Sequence, residues 1–148
     1  MNTTKASPLG TNSKTAEMKD RKAVFSTLWI FLVANYIYCD VFSHMDPAFI
    51  KELITGTIGS IQVTQGFLLT AAIMMEIPIA MIILSRVLKY RANRWANIIA
   101  GAIMAAIQVG TMNMGTPPTL HYLFYSAIEI ACNLFIVWYA WKWRNPEG

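Results

Sequence analysis

Charge is scarce in this chain. Asp, Glu, Lys and Arg make up 14% of its 148 residues, against roughly 25% in an ordinary soluble domain. Cysteine is rarer still, with Cys39 and Cys132 alone and no CxxC, so thiol redox chemistry has no support. There is no nucleotide-binding glycine loop, no HExxH, no nucleophile elbow and no sustained heptad array. The two halves share no obvious sequence echo. Each absence removes a common soluble enzyme or scaffold class.

What is abundant is apolar: 55% of the residues are hydrophobic. They are unevenly spread. Residues 1–22, "MNTTKASPLGTNSKTAEMKDRK", hold no aromatic side chain. That polar composition reads as a disordered tail. It precedes the first apolar run, so the run does not read as a cleaved signal peptide. A crossing helix needs about 20 mainly apolar residues, and four stretches qualify: 23–43, 65–88, 95–113 and 119–141. The expected fold is all-α, a membrane four-helix bundle over 23–145 behind the tail. "NMGTPPTL" predicts a tight hairpin between the last two spans. "MDPAFIKELITG" predicts a short surface helix in the first external loop, opened by Asp46-Pro47 and closed near Gly56.

Eleven of the twelve Lys and Arg residues fall in the tail, the second loop and the C-terminus, leaving Lys51 alone on the other side. By the positive-inside rule both termini face the cytoplasm of a multi-pass protein in the cell (inner) membrane. Topology accounts for the net charge of +4. The lipid bilayer is then the expected partner, and nucleic acid is not needed to explain the charge. Trp95, Trp138, Trp141 and Trp143 suit an aromatic belt at the same side.

Each span carries a polar stripe. His121, Tyr125, Glu129 and Asn133 recur every four residues, as do Tyr36, Asp40 and His44. The third span aligns Asn97, Gly101, Met104, Gln108 and Thr111. The second aligns Gln62, Gln65, Leu69, Ile73, Glu76 and Ala80. Stripes facing inward and apolar surface facing lipid is the cheaper arrangement.

At a rise of about 1.5 Å per residue, Glu76 and Glu129 each lie roughly 15 Å inside the outer ends of their spans. Two enclosed carboxylates at one height cannot both ionise cheaply, so a shared proton or two neutral acids is expected. Asn35, Gln108, Tyr125 and Asn133 are the polar residues expected around them. The pair reads either as a proton-linked site or as interhelical glue. Near the outer mouth, Asp40, Tyr36, His44, His121 and Asn113 form a second polar group. Histidine titrates near neutrality, but a headgroup location for both histidines explains them more simply. His44-Met45, Met112 and Met114 could offer soft ligands to Cu(I). Methionine more often fills gaps, and no metal or other cofactor is expected. Cys39 and Cys132 differ in depth by roughly 13 Å, too far for a disulfide.

The stretch "LWIFLVANYIYCDVFSHMDP", with the Asp40 motif and Glu76-x-Pro78, resembles a bacterial membrane family of similar length known as a domain of unknown function. The four-span plan is similar to that of the small DoxX-like membrane proteins. Three functions follow from the residues. The first is proton-linked binding or transport of a small solute, in an oligomer because four helices enclose little volume. The second is a membrane enzyme on a lipophilic substrate with Glu76 and Glu129 as acid and base. The third is a non-catalytic subunit of a membrane complex.

Overall fold

The first helix begins well before the apolar run. In a computed structural model, which describes residues 9–112 and 118–144, α1 extends over Leu9–Ser43. The disordered tail expected over 1–22 is therefore corrected from residue 9 onward. The physical reason lies in "KTAEMKDRK". These are mostly good helix formers, Glu17 accepts from Arg21 Nε at 3.3 Å one turn on, and the helix only has to propagate from a span already formed.

Past α1, Asp46 caps α2 (Pro47–Ile54), accepting from the Ala48 N–H at 2.9 Å, with Pro47 in the first turn. The short helix is as the sequence predicts. A two-strand turn follows that the sequence reading missed. β1 (Thr57–Ile58) pairs antiparallel with β2 (Ile61–Gln62), across Gly59, whose φ of 58° is open to glycine at little cost. Glu52 ties α2 to this turn by accepting from the Gly59 N–H at 2.9 Å.

Three long helices complete the described chain: α3 (Gln65–Val87), α4 (Tyr90–Thr111) and α5 (Leu120–Trp141). The tight hairpin expected through Asn113 and Met114 lies outside the described residues. Among these residues three helices are long and apolar enough to cross a membrane: Ser13–Ser43, Gln65–Val87 and Leu120–Trp141. α4 matches them in length but carries Arg91, Asn93, Arg94, Asn97 and Gln108, and falls short on composition.

α1 packs on α3 and α5, and α4 packs on the same two. The four long helices thus form a square, with α1 and α4 at one pair of opposite corners and α3 and α5 at the other. The core lies toward the end where Tyr90 and Trp143 meet, called here the basic end. It holds Phe25, Trp29, Leu32, Met81, Ala100 and Ile136, among others. Trp29 reaches across the square to donate from Nε1 to Asn97 Oδ1 at 2.7 Å, an oxygen that also accepts from Ser85 Oγ at 3.3 Å. Asn97 Nδ2 donates to Asn93, whose own amide donates to the Ser85 carbonyl. Every member is buried, so the network joins α1, α3 and α4 with its polar atoms satisfied.

α3 behaves differently along its length. Residues 65–74 are all exposed, whereas Pro78, Met81 and Ser85 are buried. The helix is continuous through Pro78, and packing begins there. The opposite end of the molecule, where α2 and the strand turn sit, is correspondingly looser.

Candidate functional site

The α5 stripe faces inward as the four-residue spacing requires. His121 and Tyr125 are half-buried, and Glu129 and Asn133 are fully buried. The α4 stripe follows suit: Asn97, Gly101 and Met104 are buried and Gln108 is half-buried. Gln108 Nε2 donates to Ser126 Oγ at 2.8 Å. On α1 the buried Tyr36 hydroxyl accepts from Asn133 Nδ2 at 2.9 Å, which locks α1 to α5.

The α3 stripe faces the wrong way. Leu69 and Ile73 are about three-fifths exposed, and Glu76 is exposed too. At about 100° per residue, Pro78, Met81 and Ser85 cluster on the side of α3 opposite Glu76. That side carries the packing, because Ser85 belongs to the asparagine network and Met81 to the core. Glu76 and Glu129 also stand on helices at opposite corners. The carboxylate pair expected from matching depth is therefore not assembled within one chain, and neither is the acid–base couple that depended on it. Asn35 does not turn to an acid either; its amide donates to the Phe31 carbonyl of its own helix at 2.8 Å.

A different acid, exposed where Glu129 is enclosed, stands level with it. α1 runs toward the α2 end and α5 away from it. From the Tyr36–Asn133 bond, four residues on along α1 is Asp40 and four residues back along α5 is Glu129, so both stand about 6 Å above that bond. The stacked rings of Phe42 and Tyr125, 6.1 Å apart, continue the same register. Counting depth from each span's own end had separated the two acids, because the ends of α1 and α5 are staggered.

Glu129 is only 1% exposed, and its Oε1 is enclosed with no hydrogen-bond partner. Asn133 Oδ1 is a second buried acceptor without a donor. Buried polar atoms are nearly always paired, so two orphans one turn apart mark a place where something else can donate.

Toward the α2 end from them lies a cavity of about 430 Å³, whose described lining on α5 ends at Tyr122, about two turns from Glu129, so that neither orphan lines it. Asp40, Ser43, Asp46, Glu52 and His121 supply its polar wall, and Phe49, Ile58, Ile61, Phe67 and Met112 much of its apolar wall. Among the described residues no lysine or arginine lines it. Asp46 and Glu52 each spend one oxygen on a backbone N–H, whereas Asp40 makes no side-chain hydrogen bond among the described residues. The cavity is roofed by α2 and the strand turn.

His121 lies 3.3 Å from Ser43 Oγ and 3.1 Å from Thr119 Oγ1, at the cavity wall. His44 is exposed, with Nδ1 2.6 Å from the Asp40 backbone carbonyl and its ring edge-on to Phe49. Asn113, the remaining outer-mouth candidate, lies outside the described residues. Cys39 and Cys132 are two free thiols, although the Tyr36–Asn133 register puts them about 3 Å apart in height, not the roughly 13 Å that counting from the span ends gave.

The sequence reading missed Trp29, Ser85 and Asn93. Asn93, four residues before Asn97, prolongs the α4 stripe and was there to be read. Trp29 gave no signal, since an indole in an apolar span looks like core whether or not it donates. No curated protein and no solved structure matches the chain. A family model does, over residues 14–148, and the chain belongs to that family, a family of unknown function (DUF6326).

Proposed function

We propose that this is a small four-span protein of the cell membrane, with both termini cytoplasmic, that takes a small organic cation from the outer side in linkage with a proton. The observation that carries this reading is Glu129, enclosed with an unpartnered Oε1 two turns below a cavity whose described lining holds carboxylates and no basic side chain.

α4 supports the four-span count by position. It lies between two apolar helices, matches their length and packs on both, so its polar residues can be sheltered by α1, α3 and α5. The one-sided placement of Lys and Arg supports the orientation. The likeness to DoxX-like proteins is one of span plan only and lends no activity.

The chemistry follows from charge. An ionised Glu129 enclosed without a donor is costly; positive charge in the cavity above offsets that cost. Arrival of a cation and loss of a proton from Glu129 are therefore linked, with Asp40 contacting the cation. The apolar wall suits an aryl or alkyl group attached to the amine. Because four helices enclose little volume, a homo-oligomer is part of the proposal.

The test uses protein purified in detergent and three probes of one shape: phenethylamine, 2-phenylethanol and phenylacetate. The expected result is saturable binding of the amine alone, with proton release in weakly buffered solution. Asp40→Asn should weaken binding, and Glu129→Gln should abolish the proton release. Equal binding of all three probes, or amine binding unchanged in both variants, overturns the reading.

A further inference from the structure

The basic end holds a second cavity, unrelated to the acidic one. It is an open cleft of about 640 Å³, and Arg91, Arg94 and Arg144 all line it. Among the described residues no acidic side chain does. Satisfying membrane topology requires basic residues on one side; it does not require three arginines to line one cleft.

The cleft is braced from behind. Arg94 Nε donates to the Ala140 carbonyl at 3.2 Å and Nη2 to the Trp141 carbonyl at 3.0 Å, and its Cζ lies 5.8 Å from the Trp141 ring centroid. These bonds satisfy the last carbonyls of α5 and fix one guanidinium in place. Tyr90 donates its hydroxyl to the Trp143 carbonyl at 2.7 Å and meets the Trp143 ring edge-on at 5.0 Å. Trp143 is itself buried against Phe25. The wall is thus rigid before anything binds. Arg91 and Arg144, by contrast, have no hydrogen bond or ion pair among the described residues, where the one salt bridge is Arg21–Glu17. Two free forks beside a fixed one suit a tetrahedral anion, which guanidinium groups hold by paired, charge-assisted bonds.

The level of the cleft narrows the source of that anion. Trp95 and Trp141 line it while remaining more than half exposed, and Trp138 beside them carries Lys142 Nζ 4.5 Å above its ring. Exposed indoles at the end of a span sit where lipid headgroups lie.

We infer that this cleft binds a phosphate group at headgroup depth, held by Arg91 and Arg144 against Arg94 and the tryptophan wall. An anionic phospholipid headgroup and a soluble phosphate compound share that chemistry, and the experiment separates them.

The full-length protein in dodecyl maltoside is titrated by calorimetry with dihexanoyl phosphatidylglycerol, dihexanoyl phosphatidylcholine and inorganic phosphate. Saturable binding of the phosphatidylglycerol above the phosphatidylcholine supports a headgroup site; binding of inorganic phosphate as well supports a site open to soluble phosphates. In either case Arg91→Gln and Arg144→Gln, singly, should each weaken binding by about tenfold or more. Because neither side chain has a partner among the described residues, both variants should keep the wild-type circular dichroism. Lys19→Gln with Lys22→Gln, which lowers charge at the same end away from the cleft, should leave binding within about twofold of wild type. Overturning results are no binding of any probe, unchanged affinity in both arginine variants, or an equal loss in the lysine variant, which would reveal diffuse charge rather than a built cleft.

Discussion

Asp40 on α1 and Glu129 on α5 stand at one level, one turn above the Tyr36–Asn133 hydrogen bond, with Asp40 lining the cavity and Glu129 enclosed beneath it. The two acids differ in what holds them. Asp40 faces a space that admits a ligand or water, whereas Glu129 Oε1 has no donor at all. A group kept buried and unpaired lowers stability unless something compensates. Glu129→Leu should therefore raise the midpoint of thermal unfolding in detergent, or leave it unchanged, while eliminating amine binding. A midpoint several degrees below wild type would mean that the carboxyl is structural glue.

The Trp29–Asn97 bond makes the opposite prediction. Here each polar atom has a partner: removal of Asn97 leaves Trp29 Nε1 buried and bare, and removal of Trp29 leaves Asn97 Oδ1 with only the longer bond from Ser85 Oγ. Trp29→Phe and Asn97→Ala should each destabilise the protein by about 1–2 kcal/mol, and the double variant by less than their sum. Reversible unfolding in mixed micelles would measure the coupling. Strict additivity would show that the bond contributes nothing beyond its packing.

Much of this architecture was legible in advance, for reasons that differ by helix. The stripes of α4 and α5 sat on helices whose inner faces are polar enough to be distinguished, although Gln108, expected around the acids, instead donates to Ser126. α2 could be read from Asp46-Pro47, because a cap and a first-turn proline act locally. α3 could not. Its packed face is written in Pro78, Met81 and Ser85, residues with little polar contrast, while its one acid points away; a rule that sends the most polar residue inward reverses the helix. Asp40 and Glu129 were both found but placed in separate layers. Relative sliding of two helices is set by contacts such as Tyr36–Asn133, and no residue count along one helix contains it.

Glu76 yields a direct test of that reversal. With Cys39 and Cys132 replaced by alanine, a spin label at Glu76→Cys should report high collision with oxygen in bilayers, as an outward site on α3 would. A label at Ser126→Cys, whose parent is buried, should be shielded, provided that the variant keeps its helicity. Equal shielding at both positions would return Glu76 to the interior and restore the carboxylate pair.

Glycines on one helix separate packing from propensity. A Cβ on Gly101 would lie 3.0 Å from Val137 Cγ2 and 3.3 Å from the Asn133 carbonyl, so α4 and α5 touch there because a side chain is missing. Gly110, nine residues along α4, would meet nothing within 4 Å. Alanine favours the helix over glycine by up to about 1 kcal/mol at either place. At Gly110 that gain should appear, and Gly110→Ala should raise the unfolding midpoint slightly. At Gly101 the contact opposes it, and Gly101→Val, which adds two further methyl groups to an already tight contact, should destabilise by about 1–3 kcal/mol. The displacement would act through Asn133, so the same variant should weaken the Tyr36–Asn133 bond and with it the level match of Asp40 and Glu129. Amine affinity and stability should then fall together in Gly101→Val and neither should fall in Gly110→Ala. A stable Gly101→Val protein would mean that α4 and α5 stand further apart than described.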